Sequence, residues 1–221
     1  MYKLFKRVID IFVATVFLIG CSPIILLISI FIKLDSTSDP IIYKGNRAFD
    51  KQNTFNLYKF RTMVPHKETL GNHSTALNDE RLTGIGKFLR KFKLDELPQF
   101  FNVLLGSMSL VGPRPQVTYY TNKYEGEFKD ILSVKPGITD LASLHFMDMD
   151  KILGDQNVNN RYEKEIEPIK NQLRLAYVKN MSFRLDLNIL ILTFLKLFKL
   201  VNKKTVNNFL KKYNLLKNGI L

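Results

Sequence analysis

From Ile11 to Ile32 the chain runs for 22 residues without a charged side chain, and most of those residues are aliphatic or aromatic. Coiled as a helix, the stretch spans roughly 33 Å, close to the hydrocarbon thickness of a bilayer. It is therefore read as membrane-embedded. Ser22-Pro23 lies at its centre. Proline lacks an amide donor and crowds the carbonyl four residues back, so the helix is expected to kink or break there. Ser22 is placed to serve a freed backbone group, as hydroxyls do in membrane helices. Lys3, Lys6 and Arg7 precede the segment, and Lys33, Lys44 and Arg47 follow it. Positive charge at both ends favours a re-entrant hairpin with both ends on the cytoplasmic side over a straight span, which stays open as the alternative. Leu18-Ile19-Gly20-Cys21 has the look of a lipoprotein cleavage site, but the apolar run continues to Ile32, past where a signal peptide's would end.

The 221 residues suffice for one buried core besides this segment. An excess of 33 Lys+Arg over 20 Asp+Glu favours an anionic partner: nucleic acid, phospholipid headgroups or a phosphorylated substrate. The distribution of the charge argues against nucleic acid. From Leu187 to the C-terminus seven lysines and no acidic residue lie among Leu, Ile and Phe, which suits a helix on an anionic membrane surface rather than a base-stacking platform. A single cysteine, Cys21, rules out an intrachain disulfide and fits a reducing cytoplasm.

The pattern after Lys33 divides the chain into a membrane segment (1–34), a catalytic core (35–200) and a basic amphipathic tail (201–221). Asp35 to Pro40 reads as a linker. Ile41-Ile42-Tyr43 suggests a strand, a turn is expected around Gly45-Asn46, and Thr54 to Met63 reads as extended. Val64 to Asn78 reads as a long loop. Phe88, Leu89 and Phe92 recur at helical spacing beside Lys87, Arg90, Lys91 and Lys93, predicting a basic amphipathic helix. Pro98 favours a new helix starting near Leu97 and stopping at Gly106, with Asp95 and Glu96 at or just before its N-terminus. Two further helices are expected over Asn160–Lys179 and Asp186–Phe198. The fold class is α/β, mostly α.

Several ordered motifs stand out: Arg81-Leu-Thr-Gly-Ile-Gly-Lys-Phe-Leu-Arg90, Leu94-Asp-Glu-Leu-Pro-Gln99, Asn102 through Gly112-Pro113-Arg114-Pro115, and Lys135-Pro-Gly-Ile-Thr139. Together with Lys6-Arg7-x-x-Asp10, Ser22-Pro23, Tyr58-Lys-Phe-Arg-Thr-Met63 and Tyr177 to Asp186, they make the chain resemble the bacterial sugar transferases, monotopic polyprenyl-phosphate phosphoglycosyl transferases. The resemblance implies a re-entrant helix broken at Ser22-Pro23 and a compact core at the cytoplasmic face of the bacterial inner membrane. It also implies a Mg²⁺-dependent transfer of sugar-1-phosphate from a UDP-sugar to polyprenyl (undecaprenyl) phosphate, releasing UMP and initiating a surface glycan such as capsule, exopolysaccharide, O-antigen or a glycoprotein glycan. Larger relatives carry extra helices and a domain before this core, so the chain resembles the minimal form. Its assembly state is left open, a homodimer included.

Displacing a nucleoside monophosphate from a diphosphate brings an anion to a phosphorus ringed by anionic oxygens, so the site needs a metal, fixed cations and an in-line nucleophile. Adjacent Asp95 and Glu96 should face different targets, because neighbours differ by about 100° around a helix. By resemblance, Asp95 is the nucleophile forming a phosphosugar-aspartyl intermediate, and Glu96, beside Asp95, helps to hold Mg²⁺. On spacing alone, helix capping is the favoured reading of this pair, and the flanking motifs turn it toward chemistry. Arg114, fixed between two prolines, and Lys59, Arg61 and Arg90 are candidate phosphate or carboxylate partners, although each reads equally as a surface charge by itself. His66, His73 and His145 are expected on the surface or in loops, and Asp148 and Asp150 carry no specific metal signal. Asp140, after the Lys-Pro-Gly-Ile-Thr motif, and Arg174, before Tyr177, depart from the family's usual Gly and acidic residue, so the sugar stays unassigned.

Overall fold

The computed structural model describes residues 2–36, 38–64, 81–146, 161–213 and 215. The loop expected from Val64 to Asn78, and with it His66, His73, Asp148 and Asp150, lies almost wholly outside the described residues.

Helix α1 (Tyr2–Asp35) is long and apolar enough to cross a membrane and contains Pro23 in its interior. The break expected at Ser22-Pro23 is not an interruption: the helix is continuous through it. The reason is local. Pro23 leaves the Ile19 carbonyl without its usual amide, and the Ser22 hydroxyl donates to that same carbonyl at 2.8 Å.

Both ends of α1 are fastened to the rest of the protein, while its middle is bare. Near the N-terminus, Arg7 donates to the carbonyls of Val103 and Leu104 at 2.5 and 2.9 Å, and buried Asp10 accepts from the Leu110 amide at 3.1 Å. Lys6 pairs with Asp186, which also accepts from the Tyr2 and Tyr177 hydroxyls at 2.6 and 2.8 Å. Toward the C-terminus, Ile28 and Ile32 pack with Phe60 and Leu89. No residue from Ile19 to Leu27 is buried. Arg61 closes this end, donating to the Ile32 carbonyl at 2.9 Å and pairing with Asp39 at 3.2 Å.

Strands β1 (Ile42–Ala48) and β2 (Thr54–Phe60) form an antiparallel hairpin in which Tyr43 faces Lys59. The turn expected at Gly45-Asn46 is absent; both residues pair within β1, and the reversal falls at Phe49–Asn53, where the Asp50 carboxylate accepts from the Gln52 and Asn53 amides. Helix α2 (Gly84–Lys91) follows, N-capped by Thr83. A 3₁₀ turn (Leu94–Glu96) then leads into α3 (Gln99–Leu105), which Gly106 ends with a positive φ of 88°.

Strand β3 (Ser109–Val111) runs parallel to β4 (Gly137–Thr139), with α4 (Thr118–Thr121) and a 3₁₀ segment (Gly126–Ser133) between them. The two strands meet through glycine. A Cβ on Gly137 would lie 2.1 Å from the Gly112 nitrogen, and one on Gly112 would lie 2.4 Å from the Lys135 carbonyl oxygen. Gly137→Ala is thus expected to push β4 from β3 and to lower stability by about 1–3 kcal/mol, read as a fall in thermal midpoint.

Helix α5 (Leu141–His145) precedes a π-helical turn (Tyr162–Ile166), then α6 (Glu167–Asn180), α7 (Phe183–Leu197) and α8 (Lys203–Lys212). Leu173, Tyr177, Leu185, Ile189, Val206, Leu210 and Leu215 join Val103, Met108 and Leu141 in the main core. Within the segment drawn at 201–221, α8 turns Val206 and Leu210 into that core. The apolar face left bare belongs to α7 and its end, with Ile191, Phe194, Phe198 and Leu200 all at least 48% exposed. His145, expected at the surface, is buried at the end of α5.

Candidate active site

The local sequence brings two acidic side chains to one short turn. Lys93 takes a left-handed conformation (φ 58°) after α2, which reverses the chain into the 3₁₀ turn of Leu94–Glu96. Pro98 then starts α3, where its missing amide costs nothing. Asp95 is 6% exposed and the Glu96 side chain 17%.

The two carboxylates do not face separate targets. Lys59 Nζ lies 2.9 Å from Glu96 Oε1 and 3.9 Å from Asp95 Oδ2, so one lysine from β2 bridges the pair. Arg114 pairs with the same Oε1 from the other side, and its Nη1 donates to the Ile138 carbonyl at 3.2 Å. The strand that carries Lys59 is tied to α3 by Asn102, whose side chain accepts from the Tyr58 amide at 2.9 Å and donates to the Asn56 carbonyl at 2.8 Å. That role for Asn102 had no separate signal in the sequence beyond its place in a motif.

The environments drive the two acids apart. Burial, reinforced by the Glu96 charge, raises the Asp95 pKa above the ordinary carboxylate value despite Lys59, Arg90 and Lys93. Burial pushes Glu96 upward too, but the charges and hydrogen bonds of Arg114 and Lys59 outweigh it and hold Glu96 well below the usual range. Glu96 is therefore a fixed anion, and Asp95 the more basic carboxylate. Adjacent carboxyls separated in this way are suited to different roles. Removing Lys59 takes away the largest stabiliser of the Asp95 anion. If Asp95 must be ionised to act, the acid limb of kcat/KM moves to higher pH in Lys59→Met, and a pH–rate profile reads the shift.

Arg114 is held from behind by a buried chain of charge. Its backbone amide donates to Asp140 at 3.0 Å, and Asp140, fully buried, also caps α5 through the Ser143 amide. Arg174, 2% exposed, brings its Nε within 3.9 Å of Asp140 and donates through Nη1 to Glu167 at 2.8 Å. Gln116 donates to both oxygens of Glu167 at 3.1 Å, and the Lys170 amine lies against the Tyr162 hydroxyl and ring. Burial, then the nearby Arg174 charge, lowers the Lys170 pKa to about 7. Asp140 and Arg174, which the sequence marked separately as departures, thus meet in one ion pair.

Of the cations proposed from sequence, Lys59 and Arg114 reach the carboxylates directly. Arg90 lies near enough to lower the Asp95 pKa, and its Nε donates to Thr62 at 3.0 Å. Arg61 is not brought to the pair: it is 5% exposed and serves Ile32 and Asp39, because β2 ends beside the C-terminal end of α1.

For a Mg²⁺ ion, the described residues contain no cluster of three or more His, Cys, Asp or Glu. Asp95 and Glu96 still offer adjacent hard oxygens, and both described ion pairs of Glu96 fall on Oε1 alone. Such a pair fits an ion that draws its remaining ligands from substrate phosphates and water.

Comparison with known proteins decides the family. The bacterial sugar transferase family model matches residues 1–200. The chain belongs to that family. Among its bacterial sugar transferase relatives, a UDP-glucose:undecaprenyl-phosphate glucose-1-phosphate transferase of Klebsiella pneumoniae is 38% identical over 202 residues, covering 90% of this chain and 41% of that protein. EpsL of Bacillus subtilis, described as an uncharacterized sugar transferase, is 39% identical, covering 85% of this chain and 84% of its own. A UDP-N-acetylgalactosamine-undecaprenyl-phosphate N-acetylgalactosaminephosphotransferase of Aeromonas hydrophila is 34% identical over 87% of this chain and 43% of its own. The chain thus spans about two fifths of the length of the Klebsiella and Aeromonas relatives.

Proposed function

We propose that this sugar transferase moves a sugar-1-phosphate from a UDP-sugar to polyprenyl phosphate, yielding polyprenyl-diphosphate-sugar and UMP. The observation that carries the reading is the adjacent pair of buried Asp95 and half-buried Glu96, with Lys59 reaching both carboxylates and Arg114 paired to Glu96. The names of the relatives supply the reaction class, with undecaprenyl phosphate acceptors and UDP-glucose or UDP-N-acetylgalactosamine donors.

In the first step an Asp95 carboxylate oxygen attacks the phosphorus that carries the sugar. The bond to UMP breaks, and UMP leaves with the bonding electron pair. In the second step a phosphate oxygen of the acceptor attacks the same phosphorus and expels the Asp95 carboxylate. Each nucleophile attacks through an anionic oxygen lone pair that carries no proton, so the step itself calls for no histidine base. Lys59 and Arg114 lower the charge barrier and hold Glu96, and the Pro113-Arg114-Pro115 backbone limits the cost of ordering the guanidinium. Asp95 and Glu96 would hold Mg²⁺ with diphosphate oxygens, and the ion would neutralise charge developing on the leaving phosphate.

A re-entrant seat for α1 is supported by its two fastened ends and bare apolar middle. A straight crossing would carry one end away from the core, whereas Lys6 and Arg7 near one end and Ile32 near the other both touch it. The lysines of α7, α8 and the adjoining turns suit an anionic cytoplasmic leaflet. The test is UMP release by detergent-solubilised protein given undecaprenyl phosphate, Mg²⁺ and a panel of UDP-glucose, UDP-galactose and UDP-N-acetylgalactosamine. Release with one donor supports the reading; none with any donor, from folded protein, overturns it for these sugars.

A further inference from the structure

An apolar groove of about 440 Å³ lies between α1 and α2 and ends at the turn that carries the acidic pair. Ile24, Leu27, Ile28 and Phe31 form one wall at helical spacing, and Ile85, Phe88 and Leu89 form the other. Ile28 and Leu89 are buried at its floor, whereas Leu27, Phe31 and Phe88 are more than half exposed at its rim. Leu94, the last lining residue, is the chain neighbour of Asp95.

We infer that this groove seats the first isoprene units of the polyprenyl phosphate, a proposal that rests on the reaction proposed above. Four observations select this occupant. The lining is wholly apolar, so it accepts a hydrocarbon chain and rejects a headgroup. One wall belongs to the membrane helix, so the groove opens toward hydrocarbon. Its inner end adjoins Asp95, around which Lys59, Arg90 and Lys93 place positive charge for a phosphate. A polyprenyl phosphate carries its phosphate directly on the chain, so a phosphate reaching Asp95 must bring its first isoprenes alongside. The volume falls within the range of pockets that hold small molecules. A bulk phospholipid, with a glycerol and headgroup between phosphate and tails, matches this arrangement poorly.

The experiment compares Leu27→Trp, which fills the groove from its exposed rim, with Ile19→Trp on the same helix outside it. With the UDP-sugar found active, Leu27→Trp is expected to raise the KM for undecaprenyl phosphate at least tenfold, with UMP release in the first turnover within twofold of the parent. Ile19→Trp is expected to change neither. Equal KM values for the two variants would mean that bulk lipid alone covers the groove and would overturn the inference. Should Leu27→Trp fail to fold, photo-crosslinking of the unaltered protein with a benzophenone-bearing polyprenyl phosphate decides. Label on peptides containing Phe31 or Phe88 supports the groove; label elsewhere overturns it. Failure of the unaltered protein to release UMP would instead count against the reaction itself.

Discussion

Asp95→Asn is expected to lower UMP release by about a thousand-fold or more, equivalent to roughly 4 kcal/mol of transition-state stabilisation. The substitution keeps the shape of the side chain but removes the anion that attacks phosphorus. Because Asp95 is buried beside Lys59 and next to Glu96, water cannot readily take its place in line. Thermal stability is expected to hold or rise, since burial already penalises the Asp95 anion. Glu96→Gln behaves differently: it leaves Lys59 and Arg114 facing each other across a neutral group. Its loss of activity should come with loss of stability, so circular dichroism melting separates the two acids. Full turnover by Asp95→Asn would remove the assigned role.

Arg174→Met is expected to have the largest effect on folding, a loss of about 3–5 kcal/mol, typical of breaking a buried ion pair by removing one partner. Arg174 is 2% exposed and lies between Glu167 and Asp140, which are themselves buried. Without it, two carboxylates remain in the interior with the partly neutralised Lys170 and Gln116 as their compensation. Such a loss consumes a large share of the 5–15 kcal/mol typical of a domain. The double variant Arg174→Met with Glu167→Gln should recover part of it, because one of the stranded charges is gone. Urea titration of the single and double variants measures the difference. Equal stability of parent and Arg174→Met would show that the buried chain behind Arg114 is not held by charge.

Much of this molecule was legible in local patterns. Phe88, Leu89 and Phe92 announced α2, and Pro98 with Gly106 bracketed α3 within a residue or two. What the sequence could not give was distance. Lys6-Arg7-x-x-Asp10 and Tyr177 to Asp186 looked like separate motifs, yet Lys6 and Tyr177 both end on Asp186. Arg61 shared a motif with Lys59, but the strand's end delivers it to α1 instead of to the carboxylates. Asp140 and Arg174 stood 34 positions apart with no periodicity to join them; only tertiary packing makes them one pair. The helical run of α1 continues past Pro23, and the Ser22 hydroxyl serves the freed Ile19 carbonyl, the role its position beside the proline implied. Composition marked α8 as basic and amphipathic but not what its apolar stripe meets, which is the main core through Val206 and Leu210.

The most direct test of the Asp95 chemistry is to incubate the protein and Mg²⁺ with the active UDP-sugar in the absence of polyprenyl phosphate, quench in acid and measure intact mass. A gain of one phosphosugar per chain, mapped to the peptide containing Asp95 and lost on adding polyprenyl phosphate, is the predicted result. Turnover that begins only when both substrates are present, with the protein mass unchanged at every time point, would contradict it.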